Sequence, residues 1–263
     1  MDNQVVFWET HAAGYRDPYF GEMWKAFSNN QPVELVDLEG KRLCFRDVVF
    51  PLLPRIQGGV YFNRNVVEHV MHRLTITQTT QHHPNSNAST EIVRVTFLSR
   101  KPDTQRKRGV LNQDELVDAL SQDPNLSVLL IDFDRSVPFR RQLEIVRSTD
   151  IFVGMHGAGL THLLFLPDWA ALFELYDCED KCYFDLARFR GIQYASWRNE
   201  SLMEPEDRPL DSTGRPKIKY TNYTFDKKEF LTIFYEIKAK VVARREKYRN
   251  AEANNKISGR NEL

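Results

Sequence analysis

Apolar positions along this chain change their period at about residue 91. Before it they come in short, mixed stretches. Residues 4–9 are an apolar strand candidate, and residues 18–28 set Tyr19, Phe20, Met23, Trp24 and Phe27 three and four apart behind Pro18, the stripe of an amphipathic helix. Residues 32–37 alternate and predict a strand. Residues 43–53 are apolar but broken by Pro51, and 66–74 predicts a helix. Residues 75–90 are rich in Thr, Gln, Asn and His without periodicity, so they read as a loop. Beyond it, strands at 92–98, 126–132, 150–154, 170–176 and 192–197 alternate with helices at 112–120, 138–148, 160–166 and 183–190. Asn112 with Glu115 three later suggests a capping box, Pro167 ends one helix and Gly191 another. This alternation predicts an α/β fold with a parallel, doubly wound sheet. Residues 199–220 read as a polar loop. Residues 226–248 predict a long helix with Phe230, Ile233, Phe234, Ile237 and Val241 as its stripe, and 249–263 reads as a disordered tail.

Composition narrows the class. The 263 residues correspond to about 1.8 domain lengths. Hydrophobic residues make up 41%, enough for a core. Thirty-six basic and 36 acidic residues leave no net charge, which argues against partners held mainly through phosphate charge, such as bulk nucleic acid or an anionic membrane. No apolar run is long enough to span a bilayer, and the first residues lack the pattern of a signal peptide. A neutral chain without a leader suggests the cytosol. A strand candidate starting almost at residue 1 suggests instead that sequence once preceded it.

The sharpest local feature is Asp150-Ile-Phe-Val-Gly-Met-His156-Gly157-Ala-Gly159-Leu-Thr-His162, a strand, a glycine turn and a helix start. Gly157 and Gly159 let a ligand approach the backbone, and the first N–H groups of the helix suit an anion. The alternative is that the glycines only permit a tight turn. His156 on the turn is a candidate acid or base, whereas His162 reads as a packed core histidine. Arg100, and the Arg106, Lys107 and Arg108 cluster, follow another strand end and could clamp a diphosphate or simply be solvated. Glu174 ends a strand at the same edge, as a sugar or ribose ligand or as a surface ion pair. No metal site is predicted: His82-His83 has no matching ligands, and Cys178 and Cys182 have neither zinc nor redox spacing. The two cysteines are free thiols or, in an oxidising compartment, a local disulfide. Sequons stand at Asn87, Asn125, Asn199 and Asn222, and the chain ends Arg-Asn-Glu-Leu, two positions from a retention signal.

The run from Ser148 through His156-Gly-Ala-Gly-Leu-Thr-His162 and Pro167 to Glu174 and Cys178 resembles the EGF domain-specific O-linked N-acetylglucosamine transferases, a glycosyltransferase family. The similarity extends to Arg188, Asn222 and Asp226, and upstream to Cys44, Arg55 and residues 111–116. The resemblance implies transfer of N-acetylglucosamine from UDP-N-acetylglucosamine to Ser or Thr of EGF-like repeats, with inversion, in the endoplasmic reticulum lumen. It implies two Rossmann-like domains of the type B glycosyltransferase kind. Residues 1–78 would be an incomplete acceptor-side domain, 79–90 a linker and 91–225 the donor-binding domain. Carried over, His156 becomes a catalytic candidate, and Arg100, Arg106, Gly157, Gly159 and Glu174 become donor contacts. A divalent cation is left open. Residues 28–31 lack the acidic motif of the family, and the signal peptide that the resemblance implies is not expected at residue 1 of this sequence. The alternative is an inactive fragment or paralogue that binds a nucleotide sugar.

Overall fold

The computed structural model describes residues 3–7, 21–42, 44, 46–48, 64–76, 92–100, 108–176, 178–207, 210, 212–214 and 221–258. The chain divides into two compact units, Met1–Thr77 with Asp134–Gln142, and Gln78–Phe133 with Leu143–Leu263.

In the first unit the described residues include β1 (Val6–Phe7) and β2 (Val33–Glu34), paired in parallel, while most of the expected 43–53 strand lies outside the described residues. The amphipathic stretch at 18–28 contains a 3-10 helix, Gly21–Ala26, whose Trp24 meets Phe7 edge-on at 4.8 Å. Helix α1 (Arg64–Arg73) buries Val67, Val70 and Met71, and its His69 Nε2 lies 2.9 Å from the Ala26 carbonyl.

The second unit carries the regular pattern. Strands β3 (Val93–Leu98), β4 (Leu126–Ile131), β5 (Ile151–Gly154), β6 (Ala171–Glu174) and β7 (Gln193–Ser196) form one parallel sheet in the order β4-β3-β5-β6-β7. Helices between parallel strands cover both faces, so the central strands are apolar on both sides. On one face Val95, Phe97, Val153 and Phe173 pack with Leu116 and Leu120 of α2 (Gln113–Ser121) and with Phe230, Ile233, Phe234, Ile237 and Val241 of α5 (Lys227–Ser258). The apolar stripe read from the sequence is this buried face. The other face packs against the segment after β5, where Leu160 reaches within contact distance of Gly154. It also carries Glu174, beside α4 (Cys182–Arg190), which Gly191 closes in the left-handed conformation.

At the N-terminal end of β5, fully buried Asp150 accepts hydrogen bonds from the Arg94 amide (2.8 Å), Arg245 of α5 (2.9 Å) and the Trp169 indole (2.8 Å). This network ties α5 to the sheet at the end opposite the glycine turn.

Four local expectations change. The 160–166 helix is a 3-10 helix, Ala158–Phe165, tightened where the glycine turn packs on β3. The polar 199–220 segment contains β8 (Met203–Pro205), paired antiparallel with β9 (Tyr223–Phe225); three-residue strands show no alternation to read. Asn112 does not cap α2 through the backbone. Its amide brackets Phe225, donating to the carbonyl (2.9 Å) and accepting from the N–H (3.1 Å), and it also donates to the Glu115 carboxylate (3.0 Å), so a tertiary partner is added to the local one. Helix α5 continues to Ser258, past the expected end at 248.

Candidate functional site

From β3 the chain steps outward to β4, then returns to place β5, β6 and β7 on the other side. The carboxyl ends of β3 and β5 therefore flank the reversal in strand order, where open α/β sheets form a ligand crevice. Strand β3 delivers Ser99 and Arg100 to this point, and β5 delivers His156 and Gly157. The sequence-predicted Arg100, His156, Gly157 and Gly159 are thus brought together.

The Arg100 guanidinium lies against the turn, its Nη1 donating to the His156 carbonyl at 3.4 Å. A Cβ on Gly157 would stand 2.4 Å from that Nη1, and one on Gly159 would stand 2.6 Å from Leu98 Cδ2. The space beside the two glycines is occupied by the chain's own Arg100 and Leu98. No side chain caps the 3-10 helix that follows.

Arg108 approaches from the next segment. Its backbone is left-handed (φ +78°), its amide is held by the Thr221 carbonyl at 2.8 Å, and its Nε is buried without a hydrogen-bond partner among the described residues. The Tyr183 hydroxyl donates to the Gly157 carbonyl at 2.5 Å, tying α4 to the turn. Burial pushes the Tyr183 pKa up to about 12, while a hydrogen bond from Thr161 and the Arg108 cation pull it the other way. Tyr183 therefore remains a neutral donor at physiological pH. Ser99 is buried, and its Oγ has no partner among the described residues.

His156 is buried, and its Nδ1 meets Glu174 Oε1 at 2.8 Å. Glu174 Oε2 accepts from the Tyr194 hydroxyl at 2.6 Å. With Glu174 accepting, Nδ1 is the donating ring nitrogen and Nε2 is the one left facing outward. That Nε2 faces Asp180 Oδ2 at 3.8 Å. Glu174, expected to contact a sugar or ribose, holds His156 and Tyr194 in this structure. Register pairs it with Gly154 in the last row of the sheet, where it is fully buried and both oxygens are engaged, so it orients His156. His162 is the packed core histidine expected. Its Nδ1 lies 2.9 Å from the Gly159 carbonyl, its ring sits 4.9 Å from Phe133, and burial lowers its pKa to about 4.

Arg106 and Asn87 lie outside the described residues. Asn125 is half-buried and Asn199 is exposed, with its side chain accepting from Ser201. Asn222 departs from the sequon expectation. It is buried, its Oδ1 accepts from Gly109 N (2.8 Å) and its Nδ2 donates to Glu206 (2.7 Å), so the folded chain leaves no amide open there. Cys44, Cys178 and Cys182 form no disulfide among the described residues. Residues 28–31 offer no carboxylate, so they do not fit a hard divalent cation. A cavity of about 510 Å³ opens elsewhere, along β7, lined by Lys181, Phe184, Tyr194, Arg198 and Lys240, and Arg100 and His156 are not part of its wall.

Sequence reasoning missed Ser99, Tyr183, Tyr194 and Asp180. Ser99 could have been found, because it directly precedes Arg100 at a strand end. The others reach the turn only through the packing of α4 and β7.

The chain matches the Glycosyltransferase 61 family over residues 22–173, more than half of its length and including the glycine turn. The chain belongs to the glycosyltransferase 61 family. Among curated proteins it is similar to "EGF domain-specific O-linked N-acetylglucosamine transferase" of Mus musculus, 44% identical over 245 residues that cover 88% of this chain and 44% of the relative. The protein of the same name from Xenopus laevis is 44% identical over 247 residues, 88% of this chain and 45% of the relative. That from Drosophila melanogaster is 41% identical over 276 aligned residues, 100% of this chain and 50% of the relative. The chain spans about half the length of these relatives or less. No helix among the described residues is long and apolar enough to cross a membrane.

Proposed function

We propose that this glycosyltransferase 61 chain transfers N-acetylglucosamine from UDP-N-acetylglucosamine to Ser or Thr hydroxyls of EGF-like repeats, with inversion. The observation that carries this reading is a glycine turn with Arg100 laid against it at the reversal in strand order, in a chain 41–44% identical to proteins of that name. In the transfer the anomeric C1–O bond to UDP breaks while a C1–O bond to the acceptor forms on the opposite face. The acceptor proton leaves to a base, and negative charge grows on the departing diphosphate. Arg100, Arg108 and the N–H groups at the start of Ala158–Phe165 are positioned to stabilise that charge. His156, held by Glu174, orients the turn. The proposal extends to two Rossmann-like halves, the donor-binding one at 91–225 and the acceptor-side one at 1–78, and to residence in the endoplasmic reticulum lumen.

A second reading, binding of the nucleotide sugar without turnover, draws support from the chain's spanning half or less of its relatives. Incubation with radiolabelled UDP-N-acetylglucosamine and a folded EGF repeat distinguishes the two. Label on the repeat supports transfer. UDP binding without label supports the second reading, and neither binding nor label overturns both.

A further inference from the structure

Three ligand-type atoms converge beside the glycine turn. An imidazole nitrogen of His156, a carboxylate oxygen of Asp180 and Cys182 Sγ all lie within 4.8 Å of one another, with Nε2 3.8 Å from Asp180 Oδ2. Glu174 sits behind the histidine, accepting from Nδ1 at 2.8 Å, and is itself held by Tyr194 at 2.6 Å. This is the arrangement in which a carboxylate fixes the tautomer of a metal-binding histidine and raises its basicity. Asp180 is also aimed. Its Oδ1 accepts from the Cys182 amide at 3.1 Å, which turns Oδ2 toward His156. Cys178 and Glu179 both hold left-handed backbone (φ +52° and +60°), folding the loop back toward the imidazole.

We infer that His156, Asp180 and Cys182 bind a thiophilic divalent cation, zinc by the chemistry of its donors, with Glu174 and Tyr194 supporting the histidine. Nitrogen, carboxylate and thiolate donors suit zinc and disfavour magnesium or calcium. Bonds of about 2.0 Å to nitrogen and oxygen and about 2.3 Å to sulfur give tetrahedral ligand–ligand edges of roughly 3.3–3.5 Å. The 3.8 Å between His156 Nε2 and Asp180 Oδ2 is within reach of that value by side-chain rotation. Cys182 is exposed, so it can close on the metal. On binding, the thiol releases its proton to solvent, and the fourth position remains for water or an anionic ligand. The inference stands independently of the transferase reading.

The test is metal binding by the untagged, reduced full chain. Titration with zinc against a chromogenic chelator is expected to give one equivalent per chain. Cobalt is expected to give a sulfur-to-metal charge-transfer band that persists in Cys44→Ser and Cys178→Ser and disappears in Cys182→Ser. Asp180→Asn should weaken zinc binding, and Glu174→Gln should weaken it about 10- to 100-fold. Should Cys182→Ser fail to fold by circular dichroism, Asp180→Asn carries the comparison. Absence of stoichiometric zinc, a thiolate band surviving in Cys182→Ser or lost in Cys178→Ser, or unchanged affinity in Asp180→Asn overturns the inference.

Discussion

Replacing Gly157 by Ala should impair donor binding while leaving the fold nearly intact. The new Cβ would stand 2.4 Å from Arg100 Nη1, so the guanidinium must retreat by about 1.0 Å to reach the ordinary contact distance of 3.4 Å. The atom that moves is the far end of a flexible, half-buried side chain. Gly157 has a φ of 165°, extended backbone open to alanine, so the stability change should stay within about 0.5 kcal/mol. If Arg100 contacts the diphosphate, its displacement removes a charge-assisted hydrogen bond of about 1.5–3 kcal/mol, or about 10- to 100-fold in affinity. Gly159→Ala is the control. There the Cβ would stand 2.6 Å from Leu98 Cδ2, and Leu98 is buried in the packed sheet. Overpacking of this kind costs about 1–3 kcal/mol. Calorimetric titration with UDP, alongside urea unfolding, reads both quantities. The reasoning fails if Gly157→Ala binds UDP like the parent chain, or if Gly157→Ala is the more destabilised of the two.

Four further outcomes follow from the same geometry. Because burial lowers the His162 pKa to about 4 from 6.5, the unfolded chain binds the extra proton first as pH falls. Stability should therefore drop by about 2 kcal/mol between pH 7 and pH 5, and His162→Phe should remove that component from urea titrations at the two pH values. Asp150→Asn leaves the buried Arg245 guanidinium without its carboxylate and should destabilise by about 3–5 kcal/mol in chemical denaturation. Asn112→Ala strips both partners from the Phe225 backbone and should cost about 2–4 kcal/mol, with faster amide exchange along β9. Behind an added signal sequence in a eukaryotic host, Asn199→Gln should remove a glycan-dependent gel shift and Asn222→Gln should not, because Asn222 is buried among internal partners.

Much of the site was legible because its parts are local. The strand, turn and helix at 150–162 form one continuous stretch, and the apolar run of β5 with the glycines after it announces a strand end and a turn. Arg100 was legible for the same reason, standing just past β3. Glu174 was placed correctly at a strand end, but its partner there was not legible. The period of a strand says that a residue points to one face, not which partner is waiting there. The partner was set by the pairing of Gly154 with Glu174, which brings the carboxylate up to His156. Asn112 failed in the same manner, since a capping residue and a residue bracketing a distant strand look identical until that strand arrives.

Hydrophobic periodicity determined the element types and order of the second unit, because burying one face of each helix and both faces of each central strand constrains every residue along the segment. Glycine placement likewise determined where β5 turns and where α4 ends. Strand order was decided only by tertiary structure. It is the reversal at β3 that sets the carboxyl ends of β3 and β5 on either side of the switch in strand order. The cluster of His156, Glu174, Tyr194, Asp180 and Cys182 was also decided there, because its members come from the turn after β5, from β6, from β7 and from the residues before and at the start of α4, and meet only when the parallel register sets their strand ends in one row.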